Sequence, residues 1–331
     1  MQNATALVIG AGIGGIATAA RLAKNGYDVT VLEKEPTPGG RCSQILRDGH
    51  RFDIGPTLFL MPEIWEETFA AIGERMNDHL ELKRIDPTYK IHFDDGLQLE
   101  LTSNLGAMQT QLEAVEKTAF TGFLNYIAEG SKHYKMSVEK FVGRNFYNIF
   151  EYLSPGNLPL LFQLKALKKH HANTGRFFKN ERLKAAFTFQ NMYLGLSPYD
   201  APATYSLLQY TELAEGVWYP IGGMYACIQA LVKIAEKLGV KFIYNAPVKK
   251  LKVNGSRVEG ATLHDGREFT GDIFVGNADL PYIYKELLPE NHEAKTLEKK
   301  LYTCSTIMFY WGVDKEYPQI AHHNVFLGGE Y

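Results

Sequence analysis

The sequence predicts an α/β fold: a Rossmann-type nucleotide-binding domain built from discontinuous segments, plus an inserted α+β domain. Three observations carry this. A strand–glycine–helix–strand unit fills residues 1–33. A helix and short strands that suit the same kind of domain return at 222–280. Aromatic-rich, mostly helical material unlike either flank lies between them. The expected boundaries are 1–79 and 216–285 for the nucleotide domain, and 80–215 and 286–331 for the inserted one.

The elements follow in chain order. Ala6-Leu7-Val8-Ile9 is a continuous apolar run, as a strand buried on both faces requires. Glycines at 10–15 break it. Ile16 to Lys24 is helical, and Asn25-Gly26 closes the helix. Val29 to Leu32 is a second buried strand. Residues 36–62 are rich in proline and glycine and read as irregular. A helix is expected over 63–72, stopped by Gly73. Residues 90–93 and 97–101 flank Asp94-Asp95-Gly96, a hairpin signal. From 104 to about 210 the pattern is helical.

Next, Met224, Cys227, Ile228, Leu231, Ile234, Ala235 and Leu238 form one apolar helix face. Lys241 to Tyr244 is a strand. Strands over 248–253 and 257–263 surround Asn254-Gly255, and Ile273 to Val275 is a last apolar strand.

Composition limits the function classes. The chain has 331 residues, enough for about two domains of roughly 150 each. It is 45% hydrophobic and 12% aromatic, which supports a sizeable core and argues against disorder. Thirty-five basic against 37 acidic residues give a net charge of -2, which speaks against a nucleic-acid partner. Cys42, Cys227 and Cys304 are too few and too scattered for a disulfide framework or a zinc site, so a reducing, cytoplasmic compartment is expected. No signal peptide opens the chain, and no apolar run reaches about 18 residues.

Gly10-x-Gly12-x-x-Gly15 is the dinucleotide fingerprint. Gly10 permits the tight turn, Gly12 lets the backbone approach a pyrophosphate, and Gly15 lets helix and sheet pack closely. Glu33, followed by Lys34, ends the second strand and suits ribose hydroxyls, while its charge disfavours a 2′-phosphate. Pro38-Gly39-Gly40-Arg41 adds a thin backbone at Gly40 and a planar guanidinium for a diphosphate. Behind a Rossmann unit, this second motif favours FAD over NAD.

These residues, with Phe52-Asp53-Ile54-Gly55-Pro56-Thr57, resemble the FAD-dependent carotenoid desaturases of the phytoene desaturase type, within the flavin amine-oxidase-like fold. The more specific likeness is the block FTFQNMYLGLSPYDAPATYSLLQYTELAEGVWYPIGGMYACIQAL (187–231), which is most similar to the fungal type. NAPVKKL (245–251), VGNADLPY (275–282) and STIMFYWGVDKEYP with HHNVF (305–326) extend it over essentially the whole chain. The resemblance implies FAD held by the glycine loop, Glu33 and Arg41, with an adenine contact from the backbone at Val248. It implies an acyclic carotenoid or isoprenoid substrate and a quinone or oxygen as electron acceptor. Family members carry a further glycine-rich segment that covers the flavin, expected beyond residue 331.

Oxidising a hydrocarbon needs a redox cofactor, because no side chain accepts a hydride. Glu151, among aromatics at 146–152, is the candidate proton acceptor from its rough position in the family. Asp53 is expected to fix its loop rather than do chemistry. His170-His171 and His322-His323 read as surface or structural pairs. The segment 146–171 mixes bulky apolar residues with Lys165, Lys168 and Lys169, which suits peripheral, monotopic docking on a membrane surface. The rival readings are a related isoprenoid-, retinoid- or amine-oxidising flavoenzyme, and a prenyl-binding protein of the Rab escort and GDP-dissociation type without flavin chemistry.

Overall fold

The structure is a computed structural model that describes residues 3–329. Its contacts divide the chain into two compact units, 1–83 with 219–302, and 84–218 with 303–331. The strands Leu82–Ile85 and Val217–Pro220 pair with each other and contain the two nearer division points. The third division point lies at 302/303, later than the 285/286 expected from the sequence.

In the first unit, four strands form a parallel sheet in the order Ile273–Gly276, Thr5–Ile9, Asp28–Leu32, Lys241–Ile243. Leu7 stands opposite Phe274 on one side and Thr30 on the other. Ala6 to Ile9 are all buried, which is why this strand reads as an unbroken apolar run. The helices Ile13–Lys24 and Tyr225–Lys237 pack against each other. Cys227, Ile228, Leu231, Ile234 and Ala235 are buried, as the periodicity requires.

An antiparallel sheet of Val248–Asn254, Arg257–Leu263 and Glu268–Thr270 shares a core cluster with the parallel sheet. Leu7, Ile9 and Leu32 meet Ala246, Val248, Leu251, Ala261 and Leu263 there.

The stretch 36–62 is less irregular than its composition suggests. It contains a hairpin, Gln44–Arg47 with His50–Asp53. Asp48 and Gly49 turn it with φ of 49° and 78°. Asp-Gly with both φ positive is a favoured two-residue hairpin turn, so the signal was present within the polar stretch.

In the second unit, Asn324–Leu327, Tyr89–Phe93 and Gln98–Leu101 form a three-stranded sheet. Tyr89, Ile91 and Phe93 point inward. Helices Leu105–Val115 and Ala119–Ser137 follow, then a series of short helical turns down to Glu215. The hairpin read at 90–101 and the helical character of 104–210 both match these elements. Residues 303–323 form no regular element.

Leu231 is 1% exposed on the apolar face of its helix. Leu231→Ala should cost about 2–5 kcal/mol, because the cavity adds to the lost transfer energy. Urea unfolding followed by tryptophan fluorescence and circular dichroism would measure it.

Candidate functional site

The glycine turn sits between the C-terminal ends of two adjacent parallel strands, Thr5–Ile9 and Ile273–Gly276. A Cβ at Gly15 would lie 2.1 Å from the Gly10 carbonyl oxygen, so only hydrogen fits where the helix meets the turn. Gly12 is the N-cap of Ile13–Lys24, with no side-chain cap and no acidic residue in the first turn. The first intrahelical bond is from Ile16 N–H to Gly12 O, at 3.0 Å. The amides before it are therefore donors without an intrahelical partner, at the positive end of the helix.

Gly39 and Gly40 lie against this turn. Gly39 N–H donates to Ala11 O at 2.8 Å, and Gly39 bridges Gly12. Their φ values, 118° and 55°, put both in the region that favours glycine. A Cβ on Gly40 would sit 3.4 Å from Gly12 Cα. Two bare backbones thus form one cradle.

Glu33 is buried and binds the same turn. Its Oε2 accepts from Ala11 N–H at 2.6 Å, and its Oε1 accepts from Glu35 N–H at 2.9 Å. A carboxylate has about four acceptor sites, so two amides leave capacity for a ribose hydroxyl. Lys34 is exposed and pairs with Glu35 at 3.7 Å. Arg41 is exposed and grips Asp279, with Nη2 2.6 Å from Oδ1 and 2.5 Å from Oδ2. Val248 is buried in the core cluster beside Leu32. Gly10, Gly12, Gly15, Gly40, Glu33, Arg41 and Val248 therefore belong to one unit. With uncapped amides, a side-chain-free cradle and an adjacent acid, these residues fit the phosphates and ribose of a dinucleotide.

Sequence reasoning did not assign Asn277. It bridges strand and turn, with N–H to Ile9 O at 2.8 Å and Nδ2 to Gly10 O at 3.3 Å. A Cβ on Gly12, Gly14 or Gly15 would meet its side chain at 3.0 Å or less. Its place at the end of a second parallel strand was the available signal.

Asp53 Oδ2 accepts from Met224 N–H at 2.6 Å, at the N-cap of Tyr225–Lys237. This is the loop-fixing role expected of it. Burial pushes the Cys42 thiol up to about 11, with the Asp53 charge adding to the effect, and burial likewise pushes Cys227 to about 12. Both stay protonated at neutral pH and are poor nucleophiles.

In the second unit, Glu151 has a capping role. It is exposed, and its carboxylate accepts from Tyr147 N–H at 3.1 Å and Asn148 Nδ2 at 2.7 Å. Asn148 Oδ1 in turn accepts from Glu151 N–H at 3.0 Å, closing a reciprocal box around the turn Ile149–Tyr152. His170 is fully buried between Tyr126 and Asn191, and His171 packs on Tyr199, so that pair is structural.

A buried carboxyl that the sequence did not single out lies in the same unit. Glu212 is 1% exposed and sits in a π-helical turn, Thr211–Glu215, a geometry frequent at functional sites. Its Oε1 accepts from the Tyr89 hydroxyl at 3.0 Å and its Oε2 from Gln190 Nε2 at 3.2 Å. Gln209 Nε2 donates to Gln190 Oε1 at 2.7 Å, and the Tyr126 hydroxyl donates to Gln209 Oε1 at 3.0 Å. Burial, only partly offset by the Tyr89 and Gln190 bonds, raises the Glu212 carboxyl to about 8. The signal available was its place within the 187–231 block.

A glycine-turned parallel sheet with a second glycine-arginine turn defines a dinucleotide-binding flavoprotein, and this chain belongs to the flavin containing amine oxidoreductase family, whose profile matches residues 13–301. FAD is the cofactor that this membership implies. Within that class the chain is similar to a zeta-carotene-forming phytoene desaturase of Myxococcus xanthus. They are 47% identical over 331 residues, which is 100% of this chain and 64% of the relative. A phytoene desaturase of Cercospora nicotianae is 46% identical over 100% of this chain and 54% of its own. The chain thus spans between half and two thirds of these relatives.

Wild-type putrescine oxidase bound to putrescine has a similar fold, with a TM-score of 0.59 at 17% identity, over 90% of this chain and 63% of its own. Plasmodium falciparum Rab GDI gives a TM-score of 0.54 at 14% identity, over 85% and 66%.

Two measurements check the site. Gly15→Ala should destabilise the protein by about 1–3 kcal/mol, because the new methyl must displace backbone; urea denaturation reads this. The second concerns pH. An ordinary carboxyl, at about 4.5, ionises in the unfolded chain well before folded Glu212 does at about 8. Stability from this group is therefore fully present below about 4.5 and is lost as pH rises to about 8. Glu212→Gln should flatten the fall in melting temperature across that window.

Proposed function

We propose that this chain forms the FAD-binding and substrate-binding parts of an enzyme that desaturates an acyclic carotenoid precursor, with phytoene as the foremost substrate. The observation that carries this reading is the 47% identity to a phytoene desaturase across the whole chain. Five further phytoene desaturases, from fungi, are 42–46% identical over nearly the same span.

The unit 1–83 with 219–302 would hold the cofactor. The uncapped amides after Gly12 and the Arg41 guanidinium would bind the diphosphate. Arg41 would exchange Asp279 for phosphate at small cost, because an exposed ion pair is worth about 0–1 kcal/mol. Glu33 would accept from ribose hydroxyls, and the backbone at Val248 would meet adenine. Lys34, exposed beside Glu33, would act through charge alone. When bound, FAD supplies the hydride acceptor that no side chain provides. The electrons would then pass to a quinone or oxygen.

The unit 84–218 with 303–331 would meet the substrate and the membrane. Phe150 and Leu167 are 82% and 87% exposed, and Tyr147, Ile149 and Phe162 are exposed with them. Among the described residues no helix is long and apolar enough to cross a membrane. Apolar side chains edged by lysine suit an interfacial position, from which a lipid-dissolved polyene can be drawn. The lysine edge is smaller than the sequence suggested. Lys165 turns in to Glu129 and Asn173, and Lys169 lies 3.5 Å from Asp200, while Lys168 stays at the surface.

The purified whole protein, incubated with FAD, liposomes and phytoene, should yield products whose absorption moves to longer wavelength. Recovery of unchanged phytoene from a flavin-loaded sample would refute the reading. Gly12→Val should weaken FAD binding roughly tenfold or more, about 1.4 kcal/mol, as read by flavin fluorescence quenching. Lys168→Glu with Lys169→Glu should reduce sedimentation with anionic vesicles by about 1 kcal/mol per lysine. Equal sedimentation would remove the membrane part alone.

A further inference from the structure

Gly14 is a glycine that neither the dinucleotide fingerprint nor its own backbone requires. The fingerprint fixes Gly10, Gly12 and Gly15 and leaves the two positions before Gly15 open. Gly14 lies in the first turn of the helix Ile13–Lys24, and its φ is outside the left-handed region. Alanine would favour the helix there, since glycine weakens a helix. A Cβ on Gly14 would lie 2.9 Å from Asn277 Oδ1. Among the described residues, and apart from the helix backbone and the chain neighbours, only Asn277 comes within 4 Å of that position.

Asn277 stands where the parallel sheet reverses direction. From Thr5–Ile9 the chain passes through the helix to Asp28–Leu32 on one side, while Ile273–Gly276 lies on the other. Such a reversal opens the crevice in which parallel sheets hold nucleotides. Asn277 is half-buried there, with its Nδ2 donating to Gly10 O at 3.3 Å. That bond sets the orientation of the carboxamide, because only its nitrogen can donate to a carbonyl. Oδ1 is thereby turned to the first turn of the helix, at the positive end of its dipole. Nδ2 also lies 3.0 Å and 2.8 Å from where a Cβ on Gly12 and Gly15 would be. Three glycines thus leave room for one side chain. Two residues further on, Asp279 holds Arg41 of the second glycine turn, so one short segment meets both turns.

We propose that Asn277 is a positioning residue of the nucleotide site, holding the glycine turn and the helix start in the geometry that receives the FAD diphosphate, and that Gly14 is bare to admit it. This rests on the FAD-binding part of the proposed function and deepens it. Asn277 acts through backbone: a tethered Gly10 carbonyl fixes the peptide planes that follow, and with them the direction of the amides after Gly12. Its neutrality matters as much. A carboxylate of the same shape would lose the donor to Gly10 O. It would also bring a full negative charge to the place that must accept a diphosphate.

The test is binding to the whole protein stripped of flavin, with FAD read by fluorescence quenching and ADP by calorimetry. Adenosine, which lacks the diphosphate, is the control, and melting of the stripped protein reports on the fold. Asn277→Ala should weaken FAD and ADP about three- to tenfold. Asn277→Asp should weaken both by more than about tenfold, and more at low salt. Adenosine should stay within about twofold of wild type in each. Gly14→Ala should weaken FAD and ADP as Asn277→Ala does, although its melting temperature holds or rises. Introduced into Asn277→Ala, it should cost less than about a further twofold, since the contact it disturbs is already gone.

Equal losses for ADP and adenosine, or losses that only follow a lowered melting temperature, would make Asn277 a structural part and overturn the proposal. So would a Gly14→Ala loss undiminished in Asn277→Ala, which would set the new methyl against the ligand itself. If Asn277→Asp fails to fold, the cycle between Gly14→Ala and Asn277→Ala decides the matter. A wild-type protein that binds FAD while every variant binds it equally well refutes the positioning role alone. A wild-type protein that binds neither FAD nor ADP refutes the cofactor reading, and the positioning role falls with it.

Discussion

The contact between Gly15 and the Gly10 carbonyl sets the geometry of the nucleotide-binding unit. A side chain there would overlap backbone by more than an ångström, so helix and strand can meet only through hydrogen. That closeness carries the uncapped helix start to the carboxyl ends of two parallel strands, next to Glu33 and Asn277. Gly39 and Gly40 extend the same bare surface. The amide donors, the acid and the arginine are useful to a dinucleotide because of this one approach. Moved outward by a methyl group, the helix would still form, since its buried face is unchanged, but its amides would no longer converge with the second glycine turn.

The second unit solves a different problem. It buries Tyr126, His170, Gln190, Gln209 and Glu212 among aromatic side chains, where an unpaired polar group is costly. Mutual hydrogen bonding repays most of that cost. The remaining asymmetry falls on Glu212, whose acceptor bonds come from a phenol and an amide, so its burial holds its proton unusually tightly. Glu129 shows the contrast within the same unit: with Lys165, Arg176 and Asn173 around it, hydrogen bonding and charge outweigh its burial and keep it ionised.

The fold alone does not choose a substrate. A putrescine oxidase and a Rab GDI share it at 17% and 14% identity, and by name these proteins do unlike things. What separates this chain is its sequence, 47% identical to a phytoene desaturase along its whole length.

The sequence by itself determined the first two strands of the parallel sheet, the helix between them and the glycine cradle. These are local: they depend on apolar periodicity, on glycines at fixed spacing and on an acid at a strand end, all within about 40 residues. It also showed that the nucleotide-binding unit is interrupted, since its helix and strand pattern returns after 222. The hairpin at 44–53 was legible in Asp48-Gly49 but masked by its polar surroundings.

Only the tertiary structure decided the roles of the acidic residues. Glu151 and Glu212 both lie among aromatic residues in the sequence. One is exposed and caps a single turn, while the other is sealed in the interior with Tyr89, distant in the chain. The Glu212–Tyr89 contact joins residues 123 positions apart, and local spacing carries no record of it.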